Sequence, residues 1–398
     1  MTDLLSLDAA VEQILKRVRP LPAERVPLEQ AGGRILAAAA AALVDLPPFP
    51  SSAMDGYAVR SEDTPGRLPV VGEVAAGRPA QRPLAAGEAM AIATGGVVPE
   101  GADAVVQFER VVRSDIVIEV GKVVAAGSNI RPQGGDVSAG AVVVGAGVRV
   151  GPAQLGALAA AGCAEVSCGP APSVAVLTTG SELRPPGEPL GPGEVYEANG
   201  LMLEAQLRAA GARVERLAAV ADDEDAHREA VRRGLEHDVL VTSGGVSVGP
   251  HDLVRRVEAE LGVEEVFWRV AVKPGKPVTF GVRGQTLVLG LPGNPVSSLV
   301  GCVLFVRPAL LALQGAAEPR PRFEVGRLAS SVQRDPRRAA LLRARVSWDD
   351  KGALLEPLAG QDSHMIVRAA EADALLLVPT GAGELPAGSP ARYLRLTS

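Results

Sequence analysis

The chain has 398 residues, 47% of them hydrophobic and 22% charged, with a net charge of −6. That length suits about two to four domains with separate cores, and the balance is that of a folded globular protein rather than a disordered one. The net charge excludes a broad phosphate-backbone footprint, so no nucleic-acid partner is expected; three cysteines exclude a disulfide framework, and four histidines argue against a histidine-rich zinc site.

The first eight residues carry acids rather than a basic leader, so a cytoplasmic location and no membrane association are expected. Residues 1–45 read as helical. Leu7, Val11, Ile14, Leu15 and Val18 share one face, Ser6 is the predicted N-cap and Pro20 the stop. Pro47-Pro48-Phe49-Pro50 marks a boundary. From Ser51 to Val144, short Val/Ile runs between Gly and Pro predict a small inserted β domain over 46–144. Pro152 to Ala164 is helical again, so 1–45 and 145–170 are expected to pack together as one discontinuous, mainly helical domain.

From Ser173, strands at Val174, Leu217, Val239, Val270 and Leu287 alternate with helices near Leu201, after Asp222-Asp223, after Asp252 and from Asn294-Pro295. This predicts a doubly wound α/β domain over 171–318, built on a parallel, helix-covered sheet. The apolar helix Val296–Val306 is expected to stop at Arg307-Pro308, too short to cross a bilayer. Short strands beyond Pro319 predict a C-terminal β domain over 319–398.

Three Gly/Pro turns carry the functional signal: Thr242 to Gly249, Lys273 to Pro277, and Leu291 to Ser298. The first and third directly follow buried strands, where open α/β sheets bind ligands and glycines admit anions to backbone N–H groups. Each has a plainer reading. Gly244-Gly245 suits any tight turn, Asn294-Pro295 suits a helix start, and Lys273 and Lys276 suit a solvated surface. Two of the chain's five lysines in one proline-stiffened turn nevertheless favour a fixed oxyanion contact. Glu182, Asp222 and Asp252 sit at or near strand ends, although Asp222 is equally a helix cap. Converging carboxylates repel unless a cation lies between them, and hard, oxygen-liganded Mg²⁺ suits carboxylates beside phosphate. Asp55-Gly56 alone is ordinary turn chemistry.

Taken in order, Ser52 to Ala58, Ala93-Thr94-Gly95-Gly96, Asn129-Ile130-Arg131 with Gly135-Asp136, Thr179 to Leu183, and the three turns with Ser363-His364-Met365 resemble the molybdopterin molybdenumtransferase family, which includes the gephyrin E domain. The resemblance covers nearly the whole chain. It implies a multi-domain α/β plus β fold ending in a β barrel. It also implies an elongated homodimer whose active site lies between the α/β domain of one subunit and the inserted domain of the other. The implied reaction inserts molybdate into adenylated molybdopterin with Mg²⁺-dependent release of AMP, the substrate coming from a molybdopterin adenylyltransferase. Carried over by position, Asp55, Thr94, Asp136, Glu182, Asp222 and Asp252 form an acidic and polar rim, with Glu182, Asp222 and Asp252 nearest the metal. Lys273 and Lys276 hold molybdate or phosphate, and Arg131 the pterin end. Gly244, Gly245, Ser247, Pro292, Gly293, Asn294 and Pro295 line the nucleotide pocket, with Ser363 reaching in from the barrel. Pro250-His251 and Leu253 around Asp252 depart from the family's usual acid and aromatic.

Two other readings compete. A molybdopterin adenylyltransferase would need only the part over 173–318, which leaves Asp55 and the C-terminal segment without a purpose. A non-catalytic scaffold of gephyrin type would not need Asp55, Glu182, Lys273 and Lys276 together.

Overall fold

A computed structural model of the chain describes residues 4–218, 223–245 and 253–396. Helix α1 (Leu7–Arg17) starts as its sequence dictates: Ser6 Oγ accepts from the Ala9 N–H at 3.2 Å, and Val18 turns extended at the far end. Its buried face, Ala10, Val11 and Ile14, does not join the segments around residue 150. It packs instead into the large core of the α/β unit, with Val303 and Leu310.

The rest of the expected helical domain is mostly extended. Glu24–Pro27 pairs antiparallel with Glu165–Cys168, and Ala40–Ala41 with Val142–Val144. Helix α2 (Pro152–Ala160) packs there, against Val26, Leu28, Leu36 and Val166. The alanine run at 37–42 has helical propensity, but pairing with strands more than 100 residues away in sequence overrides it. Residues 145–170 therefore do return to the N-terminal segment, onto strands rather than onto α1.

The inserted region holds a six-stranded sheet, in the order Ala104–Gln107, Gly56–Val59, Ala89–Ile92, Gly66–Val74, Val117–Val120, Val111–Ser114. Alternate residues serve two cores: Tyr57 and Val59 face one, Ala58 and Val105 the other.

The α/β unit carries strands β1 (Ser173–Thr178), β2 (Arg213–Arg216), β3 (Val239–Ser243), β4 (Glu264–Trp268), β5 (Thr279–Arg283) and β6 (Thr286–Leu291) in the order β2-β1-β3-β6-β5-β4. The first four are parallel; β5 runs against them, pairing antiparallel with β6 on one side and β4 on the other, which the expected all-parallel sheet did not include. The reversal is made by the two-residue turn Gly284-Gln285, with Gly284 at φ +61 as such a hairpin requires. Around the sheet lie α3 (Asn199–Ala209), α4 (Glu224–Gly234), α5 (Leu253–Glu260) and α6 (Pro295–Gly301).

The chain does not stop at Arg307-Pro308. A π-helical turn, Cys302–Val306, carries it from α6 into a last helical stretch, Arg307–Leu313. The wider turn accommodates Pro308, which lacks an N–H and would crowd the preceding turn of a regular helix. Pro295–Leu313 is long and apolar enough to cross a membrane, but 72% of its most apolar window is buried within the protein core.

At the C-terminus, Glu324–Leu328, Ala339–Asp349, Gly352–Pro357, Ala374–Val378 and Pro390–Arg395 close into a five-stranded barrel. Val272–Lys273 adds to its edge, opposite Ala339–Ala340, so the lysine turn hangs between sheet and barrel.

Candidate active site

The parallel strands β1, β3 and β6 end at one cleft of about 770 Å³. Thr178 to Gly180, Ser243 to Gly245 and Pro292 to Pro295 line it, together with Glu182, Asn199, His227 and His364. β2 and β3 lie on opposite sides of β1, so the strand order reverses here and opens a crevice between neighbouring loops.

Glycine is required at the loop after β3. Gly244 has φ +100, and a Cβ there would lie 2.6 Å from the Thr179 carbonyl oxygen. Gly245 has φ +65, with a Cβ only 2.4 Å from Val254 Cγ2. The turn after β6 packs on it, since a Cβ on Gly293 would sit 3.6 Å from Gly244 Cα. Gly244→Ala is expected to destabilise the chain by about 1–3 kcal/mol through strain at that position. A denaturant midpoint equal to wild type would show that the loop relaxes freely.

Asn294 is not used as a conventional helix cap. It occupies the position before α6 but makes no side-chain cap bond; its Nδ2 donates instead to Ser363 Oγ at 3.0 Å. The Val296 N–H donates to the Ser363 carbonyl at 3.1 Å. Ser363 is thus joined to the cleft's rim from the barrel side. The 360–365 loop is held by Arg343, which is buried and donates to the carbonyls of Gly360 at 2.6 Å, Asp362 at 3.2 Å and Met365 at 3.2 Å.

Glu182 is exposed at the rim, and among the described residues no base pairs with it. Lys273 and Lys276 are exposed and likewise have no carboxylate partner among the described residues. Pro277, next to Lys276, lines the cleft, and the turn between the lysines uses Gly275 at φ +105. Asp222, Ser247 and Asp252 lie outside the described residues. The described cap of α4 is Asp223, whose Oδ1 accepts from the Ala226 N–H at 2.7 Å. Among the described residues no three His, Cys, Asp or Glu side chains group closely enough to hold a metal ion.

The inserted sheet carries a second cluster. Asp55 Oδ1 accepts from the Thr94 N–H at 2.7 Å and the Thr94 hydroxyl at 2.9 Å. These two donors, the backbone one first, hold the Asp55 carboxyl below the usual carboxylate range. The next residue must be Gly56, because a Cβ there would lie 2.0 Å from the Val106 carbonyl oxygen. Ile130–Arg131 pairs with Ser51–Ser52, which brings Arg131 to the same end of the domain. The Asp136 N–H donates to the Leu46 carbonyl, and both Arg131 and Asp136 are exposed. Neither Asp55, Thr94, Arg131 nor Asp136 lines the cleft of its own chain.

Three residues missed from the sequence organise the cleft. Arg343 is one. Asn199 and Ser298 are the others, joined through Ser243. Ser243 and Ser298 lie inside the Gly/Pro turn segments, but Asn199 left no signal beyond its place at the start of a helix.

Comparison with known proteins covers the whole arrangement. Residues 5–162 match the MoeA N-terminal region (domains I and II), 175–312 a probable molybdopterin binding domain, and 325–396 the MoeA C-terminal region (domain IV). The chain is 37% identical over 402 aligned positions to molybdopterin molybdenumtransferase 2 of Mycobacterium tuberculosis (strain H37Rv), covering 97% of this chain and 98% of that protein. It is 36% identical to molybdopterin molybdenumtransferase of Synechococcus elongatus, over 97% of this chain and 98% of that one. A crystal structure of a molybdopterin biosynthesis MoeA protein from Pyrococcus horikoshii OT3 superposes with a TM-score of 0.85 at 28% identity, covering 99% of this chain and all of that one.

Proposed function

The chain belongs to the molybdopterin molybdenumtransferase (MoeA) family, and on that premise we propose that its cleft binds adenylated molybdopterin, accepts molybdate and releases AMP as molybdenum is inserted. The transferase activity, in molybdenum cofactor biosynthesis, is that of its full-length relatives. The observation that carries the finer reading is the convergence of Glu182, the Gly244-Gly245 loop and the Pro292–Pro295 turn on one cleft at the carboxyl ends of β1, β3 and β6.

Exposed backbone at Gly245 and at Gly293-Asn294, where the two loops face the cleft, suits a phosphate. Lys273 and Lys276 supply mobile positive charge for the oxyanion, without a protein carboxylate competing for either among the described residues. Glu182, an exposed hard-oxygen donor lacking a basic partner among the described residues, fits a Mg²⁺ ligand, with Asp222 and Asp252 as the other candidates. The ion would neutralise phosphate and leaving-group charge as AMP departs. Nothing in this scheme requires a covalent nucleophile; the residues position charge.

Asp55, Thr94, Arg131 and Asp136 do not line the cleft of their own chain, which favours their action across a homodimer onto the partner's cleft. A molybdopterin adenylyltransferase in the cytoplasm is the natural supplier of the substrate. Full-length matches at both ends of the chain count against the adenylyltransferase reading, whose domain needs neither. The test is purified chain with adenylated molybdopterin, molybdate and Mg²⁺. AMP should appear only when molybdate is present. Release independent of molybdate, or adenylation of molybdopterin from ATP, would overturn the reading.

A further inference from the structure

Beneath the cleft runs a chain of hydrogen bonds. Ser298 Oγ lies 2.6 Å from the Pro292 carbonyl, which can only accept, so the Ser298 proton is committed there. Ser243 Oγ, 2.9 Å from Ser298 Oγ and 3.3 Å from the same carbonyl, donates to one of these two oxygens. Asn199 Nδ2 donates to Ser243 Oγ at 3.0 Å and to the Gly293 carbonyl at 2.7 Å. A carbonyl accepts only, so the amide's orientation is forced, and Asn199 Oδ1 is left without a protein partner among the described residues. Ser243 and Ser298 are 2% and 0% exposed, where a broken link leaves a buried polar group unpaired.

We infer that Asn199 is the positioning residue of the cleft: its NH₂ clamps the end of β3 to the Pro292-Gly293 turn and sets the spacing between the two loops. Its Oδ1 then remains as an acceptor for an N–H or O–H of the ligand, and would repel a phosphate. This rests on the reading of the cleft as a nucleotide site. Aspartate is the same shape but has no N–H, so it sets a carboxylate oxygen against the Gly293 carbonyl and reverses the bond to Ser243. Alanine only deletes the clamp.

The full chain as wild type, Asn199→Ala and Asn199→Asp is compared by calorimetric titration with AMP and by amide NMR of Gly244, Gly245 and Gly293 without ligand. Asn199→Ala should weaken AMP about 10-fold and Asn199→Asp about 100-fold. The three amide resonances should move in the same order. If Asn199→Asp is the milder variant, or leaves the amides unmoved, the residue merely fills space and the inference falls. If the wild type does not bind AMP but the amides still respond in the stated order, the clamp stands and the nucleotide reading fails. Should Asn199→Asp not fold, Ser243→Ala serves instead. It should move the Gly293 amide, and an unmoved Gly293 would overturn the inference.

Discussion

Asp55→Ala is expected to lower molybdate-dependent AMP release about 10³-fold, the scale of losing one preorganised charged contact in a transition state, while leaving the fold intact. The side chain is exposed, and among the described residues its hydrogen bonds are both to exposed Thr94, so its removal opens no cavity and strands no buried group. Glu182→Ala should be equally inactive. The decisive measurement mixes the two. If each cleft is completed by its partner's Asp55, a heterodimer of Asp55→Ala and Glu182→Ala subunits contains one undamaged site. Random mixing of such dimers should then restore about a quarter of wild-type turnover. If Asp55 serves its own subunit's cleft, both sites in the mixed dimer stay broken and nothing returns. Undiminished turnover by Asp55→Ala alone would remove Asp55 from the reaction.

Lys276→Ala is expected to weaken molybdate binding by roughly 10- to 100-fold, the range of one charge-assisted contact, and Lys273→Ala by a similar factor. Both side chains are exposed, so the wild-type affinity itself should fall as salt is raised and the variants should lose much of that dependence. Titration at low and at high ionic strength reads both effects. An unchanged affinity at low salt would return the lysines to ordinary surface charge. Arginine at either position would not be an equivalent replacement, since a planar fork needs more room than a flexible ammonium.

Much of the catalytic half was legible in the amino-acid sequence because its signals are local. The strands ending at Thr178, Ser243 and Leu291 are short apolar runs, and the turns after them are written in glycine and proline. Those residues alone bring Glu182, Gly244, Gly245 and Pro292–Pro295 to one end of a sheet, because parallel strands with helical crossovers put their carboxyl ends on the same side. The Ser6 cap and the face of α1 were equally plain.

Tertiary structure alone decided the rest. Periodicity shows that α1 has an apolar face but not which core receives it, and the α/β unit, not residues 145–170, does. It shows an alanine run, not the strand partners that extend it. Pro308 reads as a stop until a π turn makes room for it. The Asn199 clamp joins residues 44 and 94 positions apart, and Asn294 meets Ser363 across 69. Hydrogen bonds at such separations depend on how packed elements meet, which backbone pattern does not encode; the local chemistry of each turn does not depend on it.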